Sequence, residues 1–214
     1  MTAALLHRFA RIFLIAISAL TLAASATAQP APSFETALKA YDAEKFIEAE
    51  RALRAVIEKS PKDMQARLLL GWAVWNQGRL DESLGIFKAV LQDAPAKRRA
   101  TPEEARSFKL HDEFMYIDNP DITSARKGLG WTYYKKGWPR SAVLQFDVLQ
   151  RTASKWDEPY LGRGYARLAL GQFEQAREDF TEYMQLTTTK RNAERAFGDL
   201  LLAQKQMDKA MTYF

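Results

Sequence analysis

Between Tyr160 and Tyr183 the apolar residues fall into two helical stripes. Tyr160, Leu161, Tyr165, Leu168 and Ala169 share the spacing of one helix face, and Phe173, Ala176, Phe180 and Tyr183 share that of a second, because residues three and four apart lie on the same side of a helix. Gly171 separates them and predicts a left-handed turn joining two antiparallel helices. Gly78 and Gly137 stand at the equivalent place in other segments, and Pro139 is suited to the first turn of the helix that follows Gly137. No stretch of alternating apolar and polar residues competes with this pattern, so it predicts paired helices and no sheet.

The pair repeats. Gly130, Gly164 and Gly198 are spaced by 34 residues, and so are Ala142, Ala176 and Ala210, and Phe146, Phe180 and Phe214. Gly71, Ser83 and Phe87 have the same internal offsets but lie 25 residues too early, which places an insertion after them. Further back, Pro61 and Pro95 are again 34 apart, and Ala49 precedes Pro61 by the interval that separates Ser83 from Pro95. Five units result, each too small to bury its own apolar face without a neighbour.

The recurring residues are a small residue in the first helix, glycine or a bulky aromatic near the turn, alanine in the second helix and proline at its end. In Leu70-Gly71, Leu129-Gly130, Gly78, Gly137, Gly171, Phe46, Phe173, Ala49, Ala142, Ala176, Ala210, Pro61 and Pro95 this pattern resembles the tetratricopeptide repeat (TPR). The resemblance implies an all-α, right-handed solenoid of antiparallel helix pairs, about five repeats with the last incomplete at Phe214. Arg163 departs from it, replacing the usual leucine before glycine, and Ala37 holds the glycine column of the first unit.

Along the chain the expected organisation is a signal peptide over 1–28, a linker over 29–32, repeats 1 and 2 over 33–95, an insertion over 96–122, and repeats 3 to 5 over 123–214. The leader reading rests on Arg8 and Arg11, the apolar run Ile12 to Ala24 and the small residues Ala26 and Ala28, with peptidase cleavage expected after Ala28. Cleavage implies a periplasmic or secreted bacterial protein; retention would leave this segment as the chain's membrane contact. The insertion opens with Lys97-Arg98-Arg99 and is expected to form a short helix from the cap Thr101 to about Phe114, then an irregular stretch at Asp118-Asn119-Pro120-Asp121.

Composition narrows the chemistry. There is no cysteine, and His7 and His111 are the only histidines, so thiolate nucleophiles, disulfides and histidine-ligated metals are not expected, nor is a cofactor. Losing Arg8 and Arg11 with the leader would bring the formal charge from +5 to +3, too weak a basic balance for a nucleic-acid partner. Asp112-Glu113, Asp157-Glu158 and Glu178-Asp179 are adjacent in sequence and read as solvated faces rather than a catalytic pair, and the serines lack a nucleophile elbow. An enzyme is therefore not expected.

The resemblance places the columns one and four positions after the packing glycine on the concave face. These hold Leu38, Trp72, Trp131, Tyr165 and Asp199, then Tyr41, Trp75, Tyr134, Leu168 and Leu202. Asn76 and Lys135 follow in the next column, and Lys127 and Arg195 lie one turn earlier. The paired Lys and Asn of the eukaryotic TPR carboxylate clamp are not reproduced. Two readings stay open for the aromatic residues: a groove, or packing between neighbouring first helices. The groove implies a non-catalytic periplasmic scaffold or adaptor that takes a segment of a partner protein, within an envelope complex, with Lys127, Lys135 and Arg195 facing acidic groups. The alternative is a glycan-binding module of a polysaccharide export or envelope assembly system, with the rings stacked on sugars.

Overall fold

The computed structural model describes residues 32–95, 97–99, 116–152 and 156–214. Among these the helices follow in pairs: α1 (Phe34–Asp42) and α2 (Phe46–Lys59), α3 (Met64–Asn76) and α4 (Leu80–Asp93), α5 (Pro120–Lys135) and α6 (Pro139–Thr152), α7 (Glu158–Ala169) and α8 (Phe173–Leu186), then α9 (Lys190–Ala203), the short α10 (Met207–Ala210) and a 3-10 turn at Met211–Tyr213. Each helix packs on its sequence neighbour, and α1, α3, α5, α7 and α9 also touch in succession. The chain is an all-α solenoid of helix pairs. The expected leader and the expected helix from Thr101 to Phe114 lie outside the described residues.

The core is a column of phenylalanines between glycines. Phe87, Phe146 and Phe180 are fully buried. A Cβ on Gly71 would stand 2.6 Å from the Phe87 ring, one on Gly130 2.7 Å from Phe146, and one on Gly164 2.4 Å from Phe180, so only glycine admits the ring at that approach. The far side of each ring meets a small residue of the next first helix. Gly128 would bring a Cβ within 2.5 Å of Phe87 and Gly162 one within 2.3 Å of Phe146, while buried Ala196 clusters with Phe180. Phe214 lies in the same way against Gly198, but 67% of it is exposed.

Gly78, Gly137 and Gly171 take φ of +79°, +74° and +73° in the turns within three pairs. Glu44 and Lys205 occupy the equivalent turns with φ of 58° and 61°. The repeat imposes one turn geometry, and two residues with a Cβ accept it under strain.

Arg163 is explained by a charged version of the same packing. Its Nε donates to both oxygens of Asp179 at 3.0 and 3.2 Å, its Nη2 to Oδ1 at 2.7 Å, and its Nη1 to Asp147 Oδ1 of the preceding pair at 2.8 Å. Arg167 adds 2.9 Å to Asp179 Oδ2. Asp179, 2% exposed, is thus not part of a solvated face. Burial pushes its carboxyl up from the ordinary value against the pull of the two guanidiniums.

The insertion differs from expectation at its base. Lys97–Arg99 and Tyr116–Asp118 form an antiparallel two-stranded ladder in which Lys97 pairs with Asp118 and Arg99 with Tyr116. Asp118 to Asp121 is therefore ordered rather than irregular: Asn119 caps α5 by accepting from Asp121 N at 3.0 Å, Pro120 takes the first turn, and Asn119 Nδ2 donates to Pro95 O at 2.9 Å. This small ladder is the β structure among the described residues, and the sequence pattern gave no sign of it.

Candidate functional site

The glycine that admits each phenylalanine also fixes where its neighbours on the first helix point. One residue on, Trp72, Trp131 and Tyr165 rest edge-on against Phe87, Phe146 and Phe180 at ring centroid distances of 5.2, 5.5 and 5.2 Å. All three are half-buried, so they belong partly to the core and partly to the surface. One turn further, Trp75 and Tyr134 meet Trp72 and Trp131 at 5.7 and 6.0 Å.

Successive repeats are linked ring to ring or ring to polar head. Asn76 Nδ2 donates to Tyr41 Oη and to Trp72 O, both at 3.0 Å. Lys135 Nζ lies 3.8 Å from the centre of the Trp75 ring, and Lys127 Nζ lies 5.5 Å from Trp72 and 5.9 Å from Trp156. Trp131 and Tyr134 approach Tyr165 at 6.5 and 6.2 Å. Tyr165 donates its hydroxyl to Asp199 Oδ2 at 3.0 Å. Tyr41, Trp72, Trp75, Asn76, Lys127, Trp131, Tyr134, Lys135 and Tyr165 thus form one strip across α1, α3, α5 and α7.

Arg195, on α9, reaches the strip at a cavity of about 370 Å³, where Trp131, Tyr134 and Tyr165 form one wall and Asn192, Arg195 and Asp199 another, with Leu161 between. Burial and the Asp199 carboxylate hold the Tyr165 hydroxyl well above its ordinary pKa, and the same two causes raise Tyr134. A second cavity, about 380 Å³, shares Asn192, Arg195 and Asp199 and continues to Tyr213 and Phe214.

The lysines do not stand free. Lys127 pairs with Glu158 Oε2 at 3.1 Å, and Glu158 Oε1 accepts from Trp131 Nε1 at 3.3 Å. Glu158 is therefore a member of the strip, not of a solvated face. Among the described residues Trp75 Nε1 is buried without a hydrogen-bond partner. The sequence reading missed Glu158 and Asn192. Both stand six positions before a packing glycine, a column that also holds Gln65 and Ser124, and its polar character was the available signal. Among the described residues no three His, Asp or Glu side chains converge as a metal site, and no helix is long and apolar enough to cross a membrane.

A stack of helix pairs presenting one continuous face of first helices is the architecture of a repeat-built interaction protein. Residues 34–98 match the family model described as tetratricopeptide repeat. Its fold is similar to that of TTC0263, a thermophilic TPR protein of Thermus thermophilus, at 17% identity and a TM-score of 0.65 over 84% of this chain and 85% of that one. It is also similar to MamA 41-end from Desulfovibrio magneticus RS-1, at 16% identity and a TM-score of 0.60 over 84% and 88%. MamA of strain AMB-1 gives 19% identity and a TM-score of 0.54 over 85% of both chains. A search of curated proteins gives no significant match. At these identities the likeness is one of fold. The repeat supports protein–protein interaction as the general role.

Proposed function

We propose that the protein is a non-catalytic scaffold or adaptor of the bacterial periplasm that seats a segment of a partner protein on the strip from Tyr41 to Asp199. The supporting observation is the unbroken succession of rings and polar heads over consecutive first helices, ending in an open cavity of about 370 Å³. A segment lying there would bury the exposed halves of the rings and find donors and acceptors in Asn76, Asn192 and Arg195. The glycan alternative draws on the same rings. It is less favoured, because Trp131, Tyr134 and Tyr165 are tilted at 80°, 52° and 45° to one another and offer no flat platform.

The test pairs a pull-down from envelope extract with a glycan-binding screen, using wild type and Trp131→Ala as baits. A protein retained by wild type and lost by a variant that still melts cooperatively is the expected result; a glycan retained in its place would overturn the reading. The periplasmic location rests on the leader, and intact-mass measurement on exported protein should show a chain beginning at Gln29. Retention of Met1 would remove that part.

A further inference from the structure

Tyr41, Trp72 and Trp75 each have a residue of the following repeat over them, at a fixed offset. The residue five positions after a packing glycine reaches back to the ring four positions after the preceding one: Asn76 bonds Tyr41 at 3.0 Å and Lys135 covers Trp75 at 3.8 Å. The residue three positions before the glycine serves the other ring, as Lys127 does for Trp72 at 5.5 Å. One repeat further the rule fails. Ala169 stands in the column of Lys135 and Leu161 in that of Lys127. Among the described residues, Trp131 and Tyr134 therefore lack the two ammonium groups that lie over Trp72 and Trp75.

The open position has the shape and charge to receive one. Trp131, Tyr134 and Tyr165 stand 6.0, 6.5 and 6.2 Å apart with mutually tilted planes, which makes three walls of a cup. One carboxylate lines it, Asp199, fixed by the Tyr165 hydroxyl; Glu158, bonded to the Trp131 indole, is already neutralised by Lys127. Ring faces carry the negative end of a quadrupole and attract cations, more strongly where water is partly excluded. We propose that this cup binds a cationic side chain, a lysine or arginine of the partner segment, with Asp199 as its counter-ion. Arg195, in the column of Lys127 two repeats later, also lines the cavity beside Tyr165, and its positive charge limits the affinity. The inference rests on the groove reading and specifies what that groove selects.

Capped tetralysine and tetraglutamate peptides, titrated calorimetrically against the protein, are the probes. The formal charge is +5, or +3 without the leader, so bulk electrostatics favours tetraglutamate, and a preference for tetralysine has to arise locally. Tetralysine is expected to bind, and Asp199→Asn or Tyr134→Ala to weaken it roughly fivefold or more. Tyr134→Phe should retain binding, since the ring and not the hydroxyl holds the cation. Arg195→Ala should tighten it. Ala169→Lys restores the missing internal lysine and should weaken the peptide by a similar factor without lowering the melting temperature. Absence of tetralysine binding, or an Ala169→Lys variant that binds as wild type does, overturns the proposal. Tetraglutamate bound at the cup and lost in Tyr134→Ala would overturn the cationic anchor while leaving the groove; a sugar bound in place of both peptides would overturn the two together.

Discussion

Phe87 lies against Gly128 across the insertion, in the same contact that Phe146 makes with Gly162 without one. The first pair is separated by 41 residues and the second by 16, so the 25 additional residues are looped out and the packing register continues unchanged. The strand ladder and Asn119 close the loop at its base. Replacing Gly128 by Leu puts a side chain where even a Cβ would be 2.5 Å from the ring. The expected loss is about 1–3 kcal/mol, read by denaturant melting. Wild-type stability would mean that α4 and α5 are not in the close contact described.

The arginine in the leucine column carries a second prediction. Asp179→Ala removes the acceptor of Arg163 and Arg167 at a site where Asp179 is 2% exposed. Arg163 keeps Asp147, but two partly buried guanidiniums lose their shared carboxylate, which is expected to destabilise the protein by about 1–3 kcal/mol. Arg163→Leu combined with Asp179→Ala should recover part of that, because the double variant returns the column to apolar packing. Additive losses in the double-mutant cycle would count against a direct pairing.

Most of the fold was legible because each repeat repeats the same sterics. Gly130, Gly164 and Gly198 could be aligned by eye, and their Cα positions face Phe146, Phe180 and Phe214. What stayed hidden depends on partners far apart in sequence. Arg163 departs from the leucine column because its partners, Asp147 and Asp179, each lie 16 residues away on other helices. Glu44 has no glycine to announce its left-handed turn. The ladder at Lys97 and Asp118 is three residues long on each side, too short for a periodic signal. At the candidate site the aromatic columns were readable, but not that Lys127 and Lys135 would be spent on Glu158 and Trp75, nor that Leu161 and Ala169 would leave the next rings uncovered.

Glu50 gives the acid limb of stability a specific source. Burial works to raise its carboxyl, but hydrogen bonds from Arg79, Gln77 and Arg54 outweigh this and hold its pKa down to about 2, from an ordinary 4.5. A carboxyl depressed in the folded state contributes stability above its unfolded pKa and loses it as pH falls through the folded one. The contribution is full above pH 4.5 and disappears toward pH 2. Allowing for solvent around the arginine heads, its size is about 1–2 kcal/mol. Glu50→Gln should therefore melt earlier than wild type at neutral pH, and the gap should close on acidification. A gap that is constant over this range would point to lost packing.

The strip's tryptophans are expected to show two separable effects, since each has one edge in the core and one face open. Trp72 and Trp131 rest on Phe87 and Phe146, so Trp72→Ala or Trp131→Ala removes part of the column's packing and should lower stability by about 1–3 kcal/mol, less than the ~3–5 kcal/mol of a fully buried aromatic. Tyr134 makes its ring contacts with Trp131 and Tyr165 and only borders the cluster around Phe146, without the edge-on ring contact that Trp131 makes there. Its truncation should cost less stability than either tryptophan variant, yet weaken a ligand by more than about 1 kcal/mol, the scale of an aromatic hot spot. Glu178→Ala, away from the strip, should alter neither. Melting and affinity measured on the same four variants decide the matter, because a groove residue and a core residue differ in which quantity moves. If Tyr134→Ala lost as much stability as the tryptophan variants and bound as well as wild type, the rings would be interhelical core and the strip would have no separate binding role.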